Sequence, residues 1–469
     1  MAIGSRTWAA AAVPLAMTAS NVLAYALVLL AAHRLDAGSF GEVSSLLGLL
    51  LISTIPMTAL QTVVARRAAL GGASRGVWRG VAVVAVGAGA LLCVLGPALA
   101  DFLHLDDVVG ILLVAATVPA NATLGAAIGL AQGRRQFFLL AWRTFTAIGF
   151  RSIGGMVGLV VGGSPDSTIA GVLVGVTTAA VLSVLPTGRP SAEPPPDPDS
   201  DAGGLVAETL HAAHAYGLFV IVTSLGVLLA QHLLSPTGAG MFAVGAALTR
   251  AVVWMPQFVP MLLFASMAQK DLHVQALRRA GLSILGLGLV AIAGSALFGR
   301  YVVSALGGAR YHALDGDMWL FATLGVLLCQ LQLAITAGLA QRRRRHAAVM
   351  WALIGADLLA ALVLGDHATP VRLVVALVCV TAVAAGVALV LLLRASPGRL
   401  DARTVPSPRA GQNGGQDQQR NHGESEQILG IQQVRRAEDE HQRGGREEHP
   451  VEYRAQPQGD HQPSDQRGD

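Results

Sequence analysis

Long apolar runs alternate with short polar connections over most of the chain. Each run is long enough for a helix to cross a bilayer, which takes about 20 predominantly apolar residues. Six runs lie at 8–32, 43–65, 80–100, 108–131, 138–162 and 167–186, and six more at 212–234, 239–266, 280–299, 318–341, 347–365 and 371–393. The first run is longer than the apolar part of a signal peptide, about 7–15 residues, so we expect it to be retained. The pattern predicts an all-α membrane protein with about twelve transmembrane helices.

A polar segment separates the sixth run from the seventh. It reads PTGRPSAEPPPDPDSDAGG, Pro186 to Gly204, and its proline and acidic content cannot pack a core. We therefore predict a six-helix lobe over residues 1–186, a cytoplasmic linker over 187–207 and a second six-helix lobe over 208–395. Residues 396–469 are rich in Gln, Arg, Asp, Glu and Gly with almost no apolar clusters, so we expect a disordered cytoplasmic tail.

Basic residues predict the orientation of the helices. If the N-terminus is cytoplasmic, the outer connections carry only Arg34, Arg300, Arg310 and Arg372. The inner segments then carry all the other basic residues of the connections, among them Arg66, Arg67, Arg134, Arg135 and Arg342 to Arg345. Since cytoplasmic connections carry an excess of Lys and Arg, we expect a multi-pass protein of the cytoplasmic membrane with both termini in the cytoplasm.

Composition excludes several classes of protein. The chain is 53% hydrophobic and 13% charged, whereas soluble domains have about 25% charged residues. The basic residues fall in short connections, so the basic pI does not indicate nucleic-acid binding. Cys93, Cys329 and Cys379 lie inside apolar runs and form neither a disulfide framework nor a metal-binding spacing. No phosphate-binding loop, dinucleotide fingerprint, zinc pattern or nucleophile elbow is present, so we expect no cofactor and no enzymatic activity.

The two halves resemble each other. LDAGSFG, Leu35 to Gly41, follows the first run, and LSPTGAG, Leu234 to Gly240, follows the seventh. Proline interrupts the next run in each half, at Pro56 and Pro256, and GLAQGRRQF after the fourth run matches GLAQRRRRH after the tenth. Because six is an even number of spans, the two lobes share one orientation and form a parallel repeat. Such a plan commonly places a substrate between the lobes, and rocking of one lobe against the other transports it.

Three charged residues lie deep in the apolar runs: Arg151, Arg250 and Asp357. A charge at this depth costs at least about 2.5 kcal/mol. One interpretation is a structural ion pair between Asp357 and one arginine. Such a pair leaves the second arginine without a counter-ion, so at least one cation is expected to face a hydrated cavity or an anionic ligand. Arg143 stands near the inner end of its run, and we expect it to reach the membrane surface.

Three stretches resemble one superfamily of transporters. NVLAYALVLLAAHRLDAGSFGEVSSLLGLLLISTIPMTALQTVVARRAA is similar to the first two spans of polysaccharide and lipid-linked oligosaccharide flippases of the multidrug/oligosaccharidyl-lipid/polysaccharide exporter superfamily. GLAQGRRQF resembles the end of that family's fourth span. AQHLLSPTGAGMFAVGAALTRAVVWMPQ resembles its passage from span seven to span eight, where a basic residue commonly stands six before a Pro-Gln pair. Here that residue is Arg250. The resemblance covers about residues 8–393.

The resemblance implies a two-lobed transporter that moves a lipid-linked sugar across the cytoplasmic membrane. Relatives often carry an acidic residue in span seven and a basic one five positions later, where this chain has Gly226 and Gln231. The leading hypothesis is a flippase whose Arg250, Arg151 and Asp357 form the substrate site for a polyprenyl-(pyro)phosphate-linked glycan, working beside glycan-synthesis enzymes. A multidrug or cation exporter of the same superfamily is the alternative, although it would favour more carboxylates. A membrane-embedded polysaccharide ligase or acyltransferase would require a large outer loop or a cluster of His, Asp and Arg, and the sequence has neither.

Overall fold

The computed structural model describes residues 2–69, 75–185, 202–254, 273–340 and 345–393. The N-terminal lobe contains α1 (Ala2–Arg34), α2 (Ala37–Ser53), α3 (Ile55–Ala69), α4 (Arg75–Leu103), α5 (Val109–Gly133), α6 (Phe137–Gly162) and α7 (Pro165–Val184). The C-terminal lobe contains α8 (Ala202–Leu233), α9 (Pro236–Trp254), α10 (His273–Leu297), α11 (Gly299–Leu306), α12 (Met318–Ala340), α13 (Arg345–Leu364) and α14 (Pro370–Leu393). Two short 3₁₀ turns, Ala309–Leu314 and Gly365–His367, complete the regular structure of the described ranges.

These helices account for the twelve predicted runs. Ten segments of the described chain are long and apolar enough to cross a membrane. α8 is an eleventh if it is followed through a bend of 49° between Gly203–His214 and Gly217–Leu233. The shorter apolar helix Met318–Ala334 coincides with the tenth run. The prediction of an all-α membrane protein with two six-helix lobes is therefore confirmed. Below, the outer end is the end that carries residues 35–36, 104–108, 234–235 and 298–317, as the charge-based orientation predicts.

The second span is broken, as the proline pattern predicted. α2 ends at Ser53, and α3 begins at Ile55 with Pro56 as its second residue. Proline has no backbone N–H and fits the first turn of a helix but not its interior. The Thr54 hydroxyl donates to the carbonyl of Leu51 at 2.6 Å, and the same oxygen accepts from the Thr54 backbone N–H at 3.1 Å. The corresponding Pro256 lies outside the described residues.

The predicted linker is shorter than the sequence indicated. α8 begins at Ala202, inside the predicted 187–207 linker, and Leu205 is fully buried. Leu205 packs against Gly80 of α4, where a Cβ atom would overlap its side chain. Of the predicted linker 187–207 the structure describes only residues 202–207, and these form the first turns of α8, so the second lobe begins earlier than predicted. Residues 186–201 and the tail from 394 lie outside the described residues.

The two repeat motifs meet at the outer end of the molecule. Asp36 and Ser235, the second residue of each motif, cap the helices that follow: Asp36 accepts from two backbone N–H groups of α2, and Ser235 accepts from one of α9 at 3.2 Å. The last residues of the motifs, Gly41 and Gly240, pack against each other across the two lobes. A Cβ atom on Gly240 would overlap the carbonyl oxygen of Ala37. Glycine is therefore needed there because the two backbones touch.

The lobes also touch in the middle and at the inner end. The Tyr25 hydroxyl of α1 donates to the Ala247 carbonyl of α9 at 3.4 Å. At the inner end, Arg67 Nη2 of α3 lies 3.1 Å from Glu208 Oε1 of α8. The lobes are thus held together at three levels.

Candidate substrate site between the lobes

A cavity lies where α1, α2, α6 and α7 of the N-terminal lobe face α9 of the C-terminal lobe. Aliphatic side chains form most of its wall, and its polar and aromatic part consists of Tyr25, Arg151, Ser152, Arg250 and Trp254. The volume of the cavity, counted as the space that the centre of a water molecule can occupy, is about 90 Å³. One water needs about 10–15 Å³ by this measure, so several waters fit. We call it the interlobe cavity.

Arg151 reaches the interlobe cavity from α6, whose position close packing against α7 determines. Gly154 and Gly158 of α6 face Gly171 and Gly175 of α7 so closely that a Cβ on any of them would overlap backbone oxygen of the other helix. Small residues at a helix interface let two backbones approach this closely. Within the described structure the Arg151 guanidinium makes no hydrogen bond or ion pair, so its charge is free to meet a ligand.

Arg250 reaches the same cavity from α9, which α12 fixes in place. The preceding residue, Thr249, donates its hydroxyl to the Phe321 carbonyl at 2.8 Å, and the Phe321 ring packs on Gly245 one turn earlier. Arg250 Nη2 is buried and has no hydrogen-bond partner among the described residues. A rigid helix therefore presents an unpaired cation to the interlobe cavity.

Arg143 shows how a structural arginine is satisfied on the same helix. It stands two turns before Arg151, and its guanidinium donates to the carbonyls of Ala127 at 2.6 Å and Ser183 at 2.8 Å. We expected Arg143 to reach the membrane surface, but it instead ties α6 to α5 and α7. Arg151, in contrast, has no carbonyl partner among the described residues, so no hydrogen bond of this kind accounts for it.

Asp357 lines a second, smaller cavity inside the C-terminal lobe. This cavity offers about 40 Å³ to water-sized molecules and is lined by α8, α9, α12, α13 and α14, with Arg250 and Asp357 both on its wall. Asp357 is buried, and its Oδ1 has no hydrogen-bond partner in the described structure. No ion pair joins Asp357 to Arg250 or Arg151 among the described residues. The pair considered from the sequence is therefore not formed in this conformation, although Arg250 borders both cavities.

Tyr25 and Trp254 were missed in the sequence analysis. They come from opposite lobes, and their rings meet edge to face with centroids 6.3 Å apart. Aromatic residues are common in apolar spans, and nothing in the local pattern distinguishes these two. Only the spacing of Trp254, one helical turn after Arg250, places it on the cavity side of α9.

The interlobe cavity is cationic and small. The described side chains on its wall include two arginines and no acidic residue, so it favours an anion over a cation. Its volume is far below the roughly 300–1,000 Å³ of sites for drug-sized ligands. A larger ligand therefore requires the lobes to separate.

Together, the helices and the cavity define a two-lobed membrane protein with a charged site between like-oriented halves, an architecture typical of transporters. No protein-family description matches the sequence, and no curated protein matches it either. Solved structures do match. The chain aligns with the lipid II flippase MurJ in an inward closed conformation, with a TM-score of 0.64 and 9% identity, over 81% of this chain and 87% of that one.

Two multidrug transporters match over similar lengths. An inward-facing multidrug-resistance MATE transporter of the MOP superfamily aligns with a TM-score of 0.58 and 15% identity, over 79% of this chain and 93% of that one. The eukaryotic MATE transporter AtDTX14 aligns with a TM-score of 0.56 and 14% identity, over 82% and 96%. At these identities the likeness shows the fold, which flippase and multidrug transporters share.

Proposed function

We propose that this protein is a secondary transporter of the superfamily that includes MurJ and the MATE proteins, and that it moves an anionic lipid-linked glycan across the cytoplasmic membrane without chemically changing it. One observation carries the proposal: two unpaired arginines from opposite lobes, Arg151 and Arg250, line one cavity that has no acidic residue on its described wall. A polyprenyl-(pyro)phosphate headgroup supplies the missing negative charge, and arginine binds phosphate oxygens in bidentate geometry.

Alternating access follows from the parallel lobes. In the conformation described here the outer ends of α2 and α9 are packed together, and the Arg67–Glu208 pair joins the inner ends. We infer that the headgroup enters from the inner side after this pair separates. Binding of one phosphate group by both arginines would draw the lobes together around it. The lobes would then open outward, where hydration of the charges and of the sugar favours release.

A multidrug or cation exporter remains the second candidate, since the MATE structures have the same fold. Its substrates would have to approach two arginines, and the buried carboxylate of Asp357 lies on a different cavity. The charge of the interlobe cavity thus favours the anionic substrate.

A substrate comparison in liposomes tests the proposal. Purified protein is reconstituted with a fluorescent polyprenyl-diphosphate saccharide, and the fraction moved between leaflets is measured by chemical quenching of the outer leaflet. A fluorescent organic cation is tested in parallel. We expect movement of the diphosphate lipid and none of the cation. Transport of the cation alone would reject the flippase and support the exporter.

Orientation is tested separately in cells. We propose that both termini are cytoplasmic, as the basic residues predict. A reporter that is active only in the cytoplasm, fused at the C-terminus, should be active. If a reporter that is active only outside the cytoplasm were active at the same position, the C-terminus would lie outside and the proposed orientation would be wrong.

A further inference from the structure

The two lobes differ at one outer connection. In the N-terminal lobe, residues 104–108 join the third span to the fourth. In the C-terminal lobe, residues 298–317 make the equivalent connection and contain α11 and the 3₁₀ turn Ala309–Leu314. We call residues 298–317 the outer strap. Its sequence contains no long apolar run, and the sequence analysis treated it only as a short outer loop.

The outer strap is firmly attached to its own lobe. Val303, Leu306 and Leu314 are buried in a hydrophobic cluster that includes residues of both lobes. The strap itself packs mainly on the C-terminal lobe, where α11 contacts α9, α10 and α12 and the 3₁₀ turn contacts α9. Gly299 packs on the backbone of Asp315, which closes the strap into a compact loop, and His312 Nδ1 lies 3.0 Å from Asp315 Oδ1. The strap therefore moves with the C-terminal lobe.

The tip of the strap crosses to the N-terminal lobe. Arg310 Nη1 donates a hydrogen bond to the carbonyl of Leu35, directly after α1. A cation is favoured there because the C-terminal end of a helix carries a partial negative charge. Next to it, the fully buried ring of Tyr311 meets the ring of Phe40 edge to face, with centroids 6.3 Å apart. One polar and one aromatic contact thus join the lobes at a single point.

The contacted segment is the first repeat motif, Leu35 to Gly41, whose last residue packs against Gly240 of the second motif. Separation of the outer ends must break the Arg310 and Tyr311 contacts, since the strap belongs to one lobe and the motif to the other. Contacts present in only one of two states stabilise that state by their full free energy.

We infer that the outer strap is a latch: Arg310 and Tyr311 hold the outer side closed, and release from Leu35 and Phe40 is required for outward opening. The latch is asymmetric, because the described part of the N-terminal lobe has no comparable insertion. It does not depend on which substrate the interlobe cavity binds. At the inner end, the Arg67–Glu208 pair joins the lobes on the opposite side.

Labelling of a cavity residue from outside the cell tests the latch. The background variant has Cys93, Cys329 and Cys379 replaced by serine or alanine and carries Ser152→Cys on the interlobe cavity. A membrane-impermeant maleimide is added to intact cells. We expect slow labelling in this background and about tenfold faster labelling with Arg310→Met, which keeps the length of the side chain but removes its donors. Tenfold corresponds to about 1.4 kcal/mol, close to the lower value for a hydrogen bond to a charged group.

Matched variants make the result specific. Arg300→Met changes an exposed arginine of the same strap that has no contact to the N-terminal lobe among those described, and should label at the background rate. Tyr311→Ala should increase labelling, and Tyr311→Phe should increase it less, because phenylalanine keeps the ring that meets Phe40 and loses only a hydroxyl that lies beside Arg310. Arg310→Lys should lie between Arg310→Met and the background.

A general loss of folding gives a different result from release of the latch. Release shifts the population outward, so labelling from the cytoplasmic side of inverted vesicles should fall as outside labelling rises. A rise on both sides would mean that the variant is misfolded and would count against the latch. Background rates in both Arg310→Met and Tyr311→Ala, or an equal rise in Arg300→Met, would overturn it.

Discussion

Replacement of Arg250 by alanine separates a substrate role from a structural one. The guanidinium has no hydrogen bond or ion pair within the described structure, and its Nη2 is buried without a partner. Truncation therefore breaks no hydrogen bond or ion pair within the described structure, and it removes a desolvated charge that costs at least about 2.5 kcal/mol at the bilayer centre. We expect Arg250→Ala to reach the membrane in normal or increased amounts.

Transport should fall sharply in the same variant. A hydrogen bond to a charged group contributes about 1.5–3 kcal/mol, and each 1.4 kcal/mol is about a factor of ten. Loss of one of the two arginines should therefore reduce transport per molecule by roughly ten- to one-hundred-fold. Arg250→Lys should keep part of the activity because it retains the charge but not the bidentate geometry.

The assay measures transport of the diphosphate-linked saccharide in liposomes and membrane abundance for the same preparations. Arg143→Met is the matched control, since Arg143 is an arginine of α6 in the other lobe and donates to two carbonyls. We expect it to lower abundance while transport per molecule stays near that of the unchanged protein. Normal transport per molecule in Arg250→Ala would refute the substrate role, and a fall in abundance alone would assign Arg250 to the core.

Three further predictions concern other parts of the molecule. Asp357→Ala should reduce transport less than Arg250→Ala, because Asp357 lines only the smaller cavity; a larger loss in liposomes would make the carboxylate the dominant group. Gly240→Ala should disfavour the closed outer end, since the new Cβ overlaps the Ala37 carbonyl, and outside labelling of Ser152→Cys should increase; unchanged labelling would contradict this contact. Hydrogen bonds from the Ser39 side chain and backbone and from the Gly38 backbone lower the pKa of Asp36. The stabilisation that this N-cap gives the folded protein is therefore complete above about pH 4, and it is lost as the pH falls through the lowered pKa. Asp36→Ala should lower the free energy of unfolding by about 1 kcal/mol at neutral pH, while Asp36→Asn should lower it little. Equal melting temperatures of the two variants in detergent would show that the cap does not stabilise the fold.

Apolar periodicity was sufficient to predict the membrane fold. In a bilayer every backbone polar group must be paired within the protein, so runs of about 20 apolar residues have essentially one solution, a helix. The repeat motifs predicted the parallel halves because their signal is also local. Their turn formers and the capping residues Asp36 and Ser235 bind backbone groups only a few positions away in the chain. The cost of a buried charge also singled out Arg151, Arg250 and Asp357 before any contact was known.

Contacts between distant segments had to come from the tertiary structure. The sequence could not tell whether Asp357 pairs with an arginine, because that depends on how α9 and α13 are rotated about their axes. It separated Arg143 from Arg151 by depth, but it did not show that carbonyls of α5 and α7 lie within reach of Arg143. Tyr25, Trp254 and the outer strap were missed because their partners lie in the other lobe, and no local pattern encodes a contact across two hundred residues. Helix formation is local and is readable from the sequence, whereas the site and its latch depend on which faces the packed helices turn toward one another.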